Sequence, residues 1–138
     1  MPLMKDREFV AAVESCAVSC SEFGHAEHVR LAWIYLSSHS LLEAIDCFTR
    51  SLQRFAAHCG APDKYHETIT WAYLLLIHER MRRDDAPSAW EGFRAANADL
   101  FDRRPSILER YYEPLTLSSD LARRVFVLPD RGTLPVGP

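Results

Sequence analysis

The chain has 138 residues, 48% of them hydrophobic and 25% charged, which is a globular rather than a disordered composition and is long enough for one core that buries roughly two thirds of the unfolded surface. No apolar run approaches the ~18 residues of a membrane span, and a net charge of −3 gives no general attraction to phosphate backbones or anionic lipid. The pairs Arg82-Arg83, Arg103-Arg104 and Arg123-Arg124 are scattered among acids, so neither nucleic acid nor a membrane is an expected partner.

The first residues, Met1-Pro2-Leu3-Met4-Lys5-Asp6-Arg7-Glu8, turn charged at once and lack the apolar core of a secretory signal, which makes the cytoplasm the expected compartment. Disulfides are then not expected. Cys16, Cys20, Cys47 and Cys59 lie in or beside helical patterns and read as free thiols packed in a core.

In chain order, Phe9, Val10, Val13, Cys16 and Ala17 recur at three- and four-residue steps and predict a helix over 5–18. Ser21 is the expected N-cap of a second helix reaching Leu36. Ser40 followed by Glu43 forms a capping box for a third, whose stripe runs through Leu41, Ala44, Ile45, Phe48, Leu52, Phe55, Ala56 and Cys59 and stops at Gly60 and Pro62. Asp63 is the expected cap of a fourth over 64–83, with Ile69, Ala72, Tyr73, Leu76 and Ile77 inward and arginines in the last turn. A fifth helix follows Pro87, carrying Trp90, Phe93, Ala96 and Leu100. Shorter segments follow Pro105 and Ser118 or Ser119. No strand alternation persists. The expected fold is all-α, a compact up-and-down bundle with short extra helices, made of one domain over 1–128 and a flexible tail over 129–138.

The chemistry concentrates in histidines. Stepping about 100° per residue from His28 puts His25 near ~60°, Ala32 near ~40° and Leu36 near ~80°, so both imidazoles sit among residues the second helix buries, with Tyr35 beside them and Arg30 and Ser37 opposite. His66 falls on the row 66, 69, 73, 76, 80 of the fourth helix. Three imidazoles aimed into one interior would each need partners for two ring nitrogens, and a metal would supply them, since neutral imidazole is a common ligand of zinc, copper and iron. The expected site is therefore His25, His28 and His66 on one transition metal (Zn, Fe or Cu), with Tyr35, Tyr73 and Arg80 as catalytic or substrate-orienting groups. The competing reading is histidines packed in the core and bonded to carbonyls or tyrosines. His39, His58 and His78 stand at a turn, a helix end and a flank and are not candidates.

Other constellations fit less well. Cys16, Cys20, His25 and His28 resemble a two-thiolate, two-imidazole zinc site, but a helix break intervenes. His66-Glu67 is similar to the opening of a zinc-protease motif, yet Thr70 occupies the second histidine position. Only Glu22 with His25 matches the Glu-x-x-His pair that a di-iron bundle needs twice. Trp33, Trp71 and Trp90 read as packing residues.

Phe23-Gly24-His25-Ala26-Glu27-His28-Val29-Arg30-Leu31-Ala32-Trp33 and Lys64-Tyr65-His66-Glu67-Thr68-Ile69-Thr70, with Tyr111-Tyr112 and Phe126-Val127, resemble a group of small bacterial helical proteins of unassigned function over residues 23–129. That resemblance implies no reaction. The expected function is a small metal-dependent enzyme acting on a small anionic molecule by oxidative, hydrolytic or lyase chemistry, and a homodimer is compatible with the composition. The alternative is a helical interaction module, because Trp33, Tyr35, Leu36, Ala44, Phe48 and Leu52 have the look of one tetratricopeptide-like repeat.

Overall fold

In the computed structural model, which describes residues 5–131, the chain is all-α: helices and short 3-10 turns, with no strand among the described residues. α1 (Asp6–Glu14) buries Phe9 and Val13 and is shorter than the periodicity predicts. Its end is set by Cys16, which takes a left-handed φ of 59° so that the amides of Cys16 and Ala17 can close on the carbonyls of Val13 and Ala12. Periodicity reports which face is apolar; it is blind to a left-handed residue that stops the helix.

α2 (His25–Ser38) begins later than expected. Ser21 bonds to Ser19 instead of capping, and Gly24 takes the N-cap position, its N–H donating to Glu27 Oε1 at 2.9 Å. From Val29 to Leu36 nearly every side chain of α2 is buried, because α1, α3 and α4 all pack on it. Arg30, expected in solvent, lies under α1: it pairs with Asp6 at 3.2 Å and its guanidinium sits 4.5 Å from the Phe9 ring centre.

α3 (Leu41–His58) keeps the predicted capping box, with Ser40 Oγ accepting from the Glu43 amide and Glu43 Oε1 accepting from the Ser40 amide. Ala44, Phe48, Leu52 and Phe55 face the core, each large side chain contributing about 1.5–3 kcal/mol by burial. Gly60, at φ 73°, closes the helix by the same pattern of amide-to-carbonyl bonds that Cys16 provides for α1.

A single 3-10 turn (Pro62–Lys64) separates α3 from α4 (Glu67–Arg82). The cap of α4 is His66 rather than Asp63: the imidazole Nδ1 accepts from the Ile69 amide at 3.1 Å. α4 packs on both α2 and α3, which places the two histidine-bearing helices side by side as the expected bundle requires.

The remaining elements, α5 (Trp90–Ala96), α6 (Pro114–Leu117) and α7 (Asp120–Arg124), cover the bundle with two further 3-10 turns. Thr68, fully buried on α4, donates to the Val125 carbonyl and accepts from the Val127 amide, which fastens the following chain across the helix. That chain stays attached through residue 131: Asp130 accepts from the Glu113 amide, and the Arg131 amide donates to the Tyr111 carbonyl. The rest of the expected tail, 132–138, lies outside the described residues.

The cysteine expectation is corrected in one respect. Cys20 and Cys59 are joined in a disulfide with Cα atoms 5.9 Å apart, tying the α1–α2 connection to the end of α3, while Cys16 and Cys47 are free and half-buried. Helical periodicity nearby does not exclude a disulfide when one partner stands at a helix end and the other on the connection that folds back to it. Among the described residues no helix is long and apolar enough to cross a membrane.

Candidate ligand cleft

The start of α2, the middle of α3 and the first turns of α4 do not close on one another completely. They leave a cleft of about 490 Å³ with Phe48, Leu52, Ile69 and Ile77 as its apolar wall and His25, His28, Tyr73, Lys64 and Arg103 as its polar groups. A second lobe of about 390 Å³ shares His28, Lys64, Ile69 and Thr70 and extends towards Phe55, His66 and the Cys20–Cys59 disulfide.

Each imidazole is held by a backbone carbonyl, and since a carbonyl only accepts, each bond identifies the nitrogen that carries the proton. His25 donates Nε2–H to Leu100 at 2.8 Å, and its Nδ1 has no hydrogen-bond partner among the described residues. His28 donates Nδ1–H to Gly24 at 2.6 Å, leaving Nε2 as its acceptor. His66 differs. Its Nε2–H donates to Leu117 at 2.7 Å while Nδ1 accepts from Ile69, so both nitrogens are engaged within the fold.

Burial holds the His28 ring below the ordinary histidine pKa, with the Gly24 bond pulling the other way and His25 adding to the depression. Its ring packs at 4.3 Å, centre to centre, against Phe23, which itself lies against Phe55 at 4.7 Å. His66 is likewise lowered, first by burial and secondarily by the Arg123 charge, against the Leu117 bond. Both are neutral imidazoles near pH 7.

Of the three expected catalytic groups, the fold brings only Tyr73 to this cleft. Its ring meets His25 edge-on at 5.0 Å, its hydroxyl shares a 2.8 Å bond with Ser106 Oγ, and burial raises its pKa, so it remains a protonated phenol. Tyr35 lies elsewhere in the core, donating to Glu14 at 2.6 Å and bonded to Ser51 at 2.8 Å; burial and Glu14 push its pKa above the usual phenol range. Arg80 makes a bidentate pair with Asp99 at 2.8 and 2.9 Å and donates to Asn97 as well, which uses the guanidinium inside the fold. Arg80 is thus held in an internal ion pair, away from the cleft where it was expected to orient a substrate.

His25, His28 and His66 do not converge: the first lobe holds His25 and His28, and the second holds His28 and His66. Among the described residues no three His, Cys, Asp or Glu side chains stand together as a metal-holding group. The mixed Cys–His alternative loses Cys20 to its disulfide.

Two residues at the cleft escaped the sequence reading. Lys64 comes from the 3-10 turn and Arg103 from the loop after α5; both are exposed, and neither side chain has a hydrogen-bond or ion-pair partner among the described residues. Among the described residues no Asp or Glu lines either lobe, so in a protein of net negative charge this cleft is locally positive. The only hint in the sequence is that Lys64 stands two residues before His66; Arg103 reads as one of several scattered basic residues. Scans of the chain against family models, curated proteins and solved structures return no match.

Proposed function

We propose that the protein is a small cytoplasmic enzyme that takes a small organic anion with an apolar body into this cleft and moves a proton on it. The observation that carries this reading is the pairing of two cations, Lys64 and Arg103, that have no ion-pair partner among the described residues, with two imidazoles that each keep one ring nitrogen without a partner, in a cleft that no described Asp or Glu lines. Lys64 and Arg103 would hold the anionic group, and Phe48, Leu52 and Ile69 the apolar part. His28 Nε2 is the natural base, kept neutral by burial and aimed by its bond to Gly24. Tyr73, protonated and fixed by Ser106, is the natural acid.

The test is titration with benzoate and phenyl phosphate, followed by the ring signals of the histidines. Shifts at His25 and His28, with affinity reduced roughly tenfold when Lys64 and Arg103 are both replaced by Gln, support the reading. Absence of any shift with both probes at millimolar concentration sinks it.

A metal-dependent version is favoured by one specific feature. Metal-bound histidines usually donate the second ring N–H to a carbonyl or carboxylate, and His25 and His28 already do so. In this version His25 Nδ1 and His28 Nε2 bind a transition ion, and His66 joins as the third ligand only by giving up its bond to Ile69 or to Leu117. Elemental analysis of the isolated protein distinguishes it: stoichiometric metal that disappears in His28→Ala supports it, and metal-free protein from metal-replete cells ends it.

A further inference from the structure

The cleft is bordered by a group that this chemistry leaves unused. The disulfide between Cys20 and Cys59 faces the second lobe, beside His28, Lys64 and His66. Its two halves are unlike. Cys59 is the C-cap of α3 and is held by amide bonds to Phe55 and, through Gly60 and Ala61, to Ala57 and Ala56. Cys20 is exposed on the connection between α1 and α2, where Ser19, Ser21 and Glu22 hydrogen-bond only to one another among the described residues.

That connection ends in Phe23 and Gly24. The Gly24 carbonyl receives the His28 Nδ1 proton, and the Phe23 ring covers the His28 ring. The tautomer and orientation of His28 therefore depend on a segment whose one covalent tie to the rest of the bundle, apart from the chain itself, is this disulfide. In a reducing compartment such a bond is transient and responsive rather than permanent.

We propose that Cys20–Cys59 is a reversible redox latch that sets the orientation of His28 and thereby opens or closes the cleft; its consequence for turnover rests on the anion-site reading above. The reductant is a dithiol. Its thiolate attacks Sγ of Cys20, the more exposed residue of the pair, the S–S bond breaks, and the electron pair leaves on Cys59 Sγ, which takes a proton from solvent. The second thiolate of the reductant then attacks its own sulfur in the mixed disulfide and releases Cys20 as a thiolate, which is protonated in turn. Two electrons and two protons reach the cysteines, and the dithiol becomes a disulfide.

The experiment compares the whole chain oxidised, reduced with dithiothreitol and reoxidised, using the ¹⁵N signals of the His28 ring and amide hydrogen exchange. Reduction is expected to erase the Nδ1–H signature of His28 and to speed exchange of the amides of Glu22 and His28 at least tenfold, with the amides of α3 and α4 unchanged and full recovery on reoxidation. Cys20→Ser/Cys59→Ser should match the reduced form without any reductant. Identical His28 signals and exchange in both redox forms would overturn the latch, and so would loss of protection across α3 and α4, which would make the bond a staple of the whole fold. None of these readouts needs a ligand. Failure of benzoate to bind either form therefore ends the anion-site reading alone, whereas equal benzoate affinity in both forms overturns the control of the cleft.

Discussion

The starts of α2 and α4 pose the same problem and solve it with different residues. Each must place a cap at the start of a helix packed against its neighbours, and each has a histidine at hand. At α4 the imidazole itself is the cap: His66 takes the Ile69 amide on one nitrogen and gives its other N–H to Leu117, and nothing is left for a ligand. At α2 the N-cap position is Gly24, which gives its own N–H to Glu27, so neither His25 nor His28 is a cap; each keeps one ring nitrogen with no partner among the described residues, and both residues line the cleft. A buried face is therefore a poor guide to function by itself. What separates a packing histidine from an available one is how many of its two ring nitrogens the backbone has already claimed.

The largest expected effect lies on the α4 side. His66→Ala removes the cap on Ile69 and the bond to Leu117 and should destabilise the fold by about 2–3 kcal/mol. His66→Asn restores an acceptor for the Ile69 amide, so roughly 1 kcal/mol should return. Denaturant melts of the two variants decide the matter, and equal losses would show that the cap is not what His66 supplies.

Arg80→Leu tests the other group that the fold has absorbed. It leaves Asp99, about a third exposed, with only the 3.5 Å contact to Arg110, and takes the donor from Oδ1 of the buried Asn97, for an expected loss of about 1–2 kcal/mol, while leaving benzoate binding unchanged. A drop in benzoate affinity without a drop in stability would move Arg80 back to the substrate.

Acid should weaken the fold through both regions. The folded-state pKa values of His28 and His66 lie below the ordinary value of 6.5, so below that pH the unfolded chain binds protons that the folded chain does not. This contribution is complete above pH 6.5 and falls as the pH drops through the window between 6.5 and each folded value. Urea midpoints measured across this range should decline for the parent chain and decline less for His66→Asn; a parallel decline in the variant would remove His66 from the account.

Much of this architecture was legible in advance. Ser40 and Glu43 cap α3 as read, Gly60 ends it, and the stripe from Ala44 to Phe55 faces the core, because these signals act within a few residues of one another. The all-α class follows from the same local periodicity. The site depends on partners far apart in the chain. Asp63 looks a better cap than His66 until the 3-10 turn over Pro62–Lys64 carries it away from the helix start. Arg80 meets Asp99 through a loop, Cys20 meets Cys59 across 39 residues, and Lys64 and Arg103 share a cleft that no periodicity connects. Arg30 was misplaced for a related reason, since a helical wheel does not show that α1 will lie across its polar side.

The smallest change in stability should come from the most informative substitution at α2. His28→Asn keeps a side-chain N–H where Nδ1 stands and can still donate to Gly24, while it removes Nε2, the nitrogen left without a partner among the described residues. Some packing against Phe23 is lost, so a cost below about 1 kcal/mol is expected, less than for His66→Ala. Proton-transfer activity on an anion that binds the parent chain should fall by about 10²-fold or more, the usual scale for a lost general base. Benzoate should still bind, because Lys64 and Arg103 are untouched. If His28→Asn instead melts as early as His66→Ala, the distinction between the two helix starts fails, and His28 belongs with His66 among the residues that hold the fold.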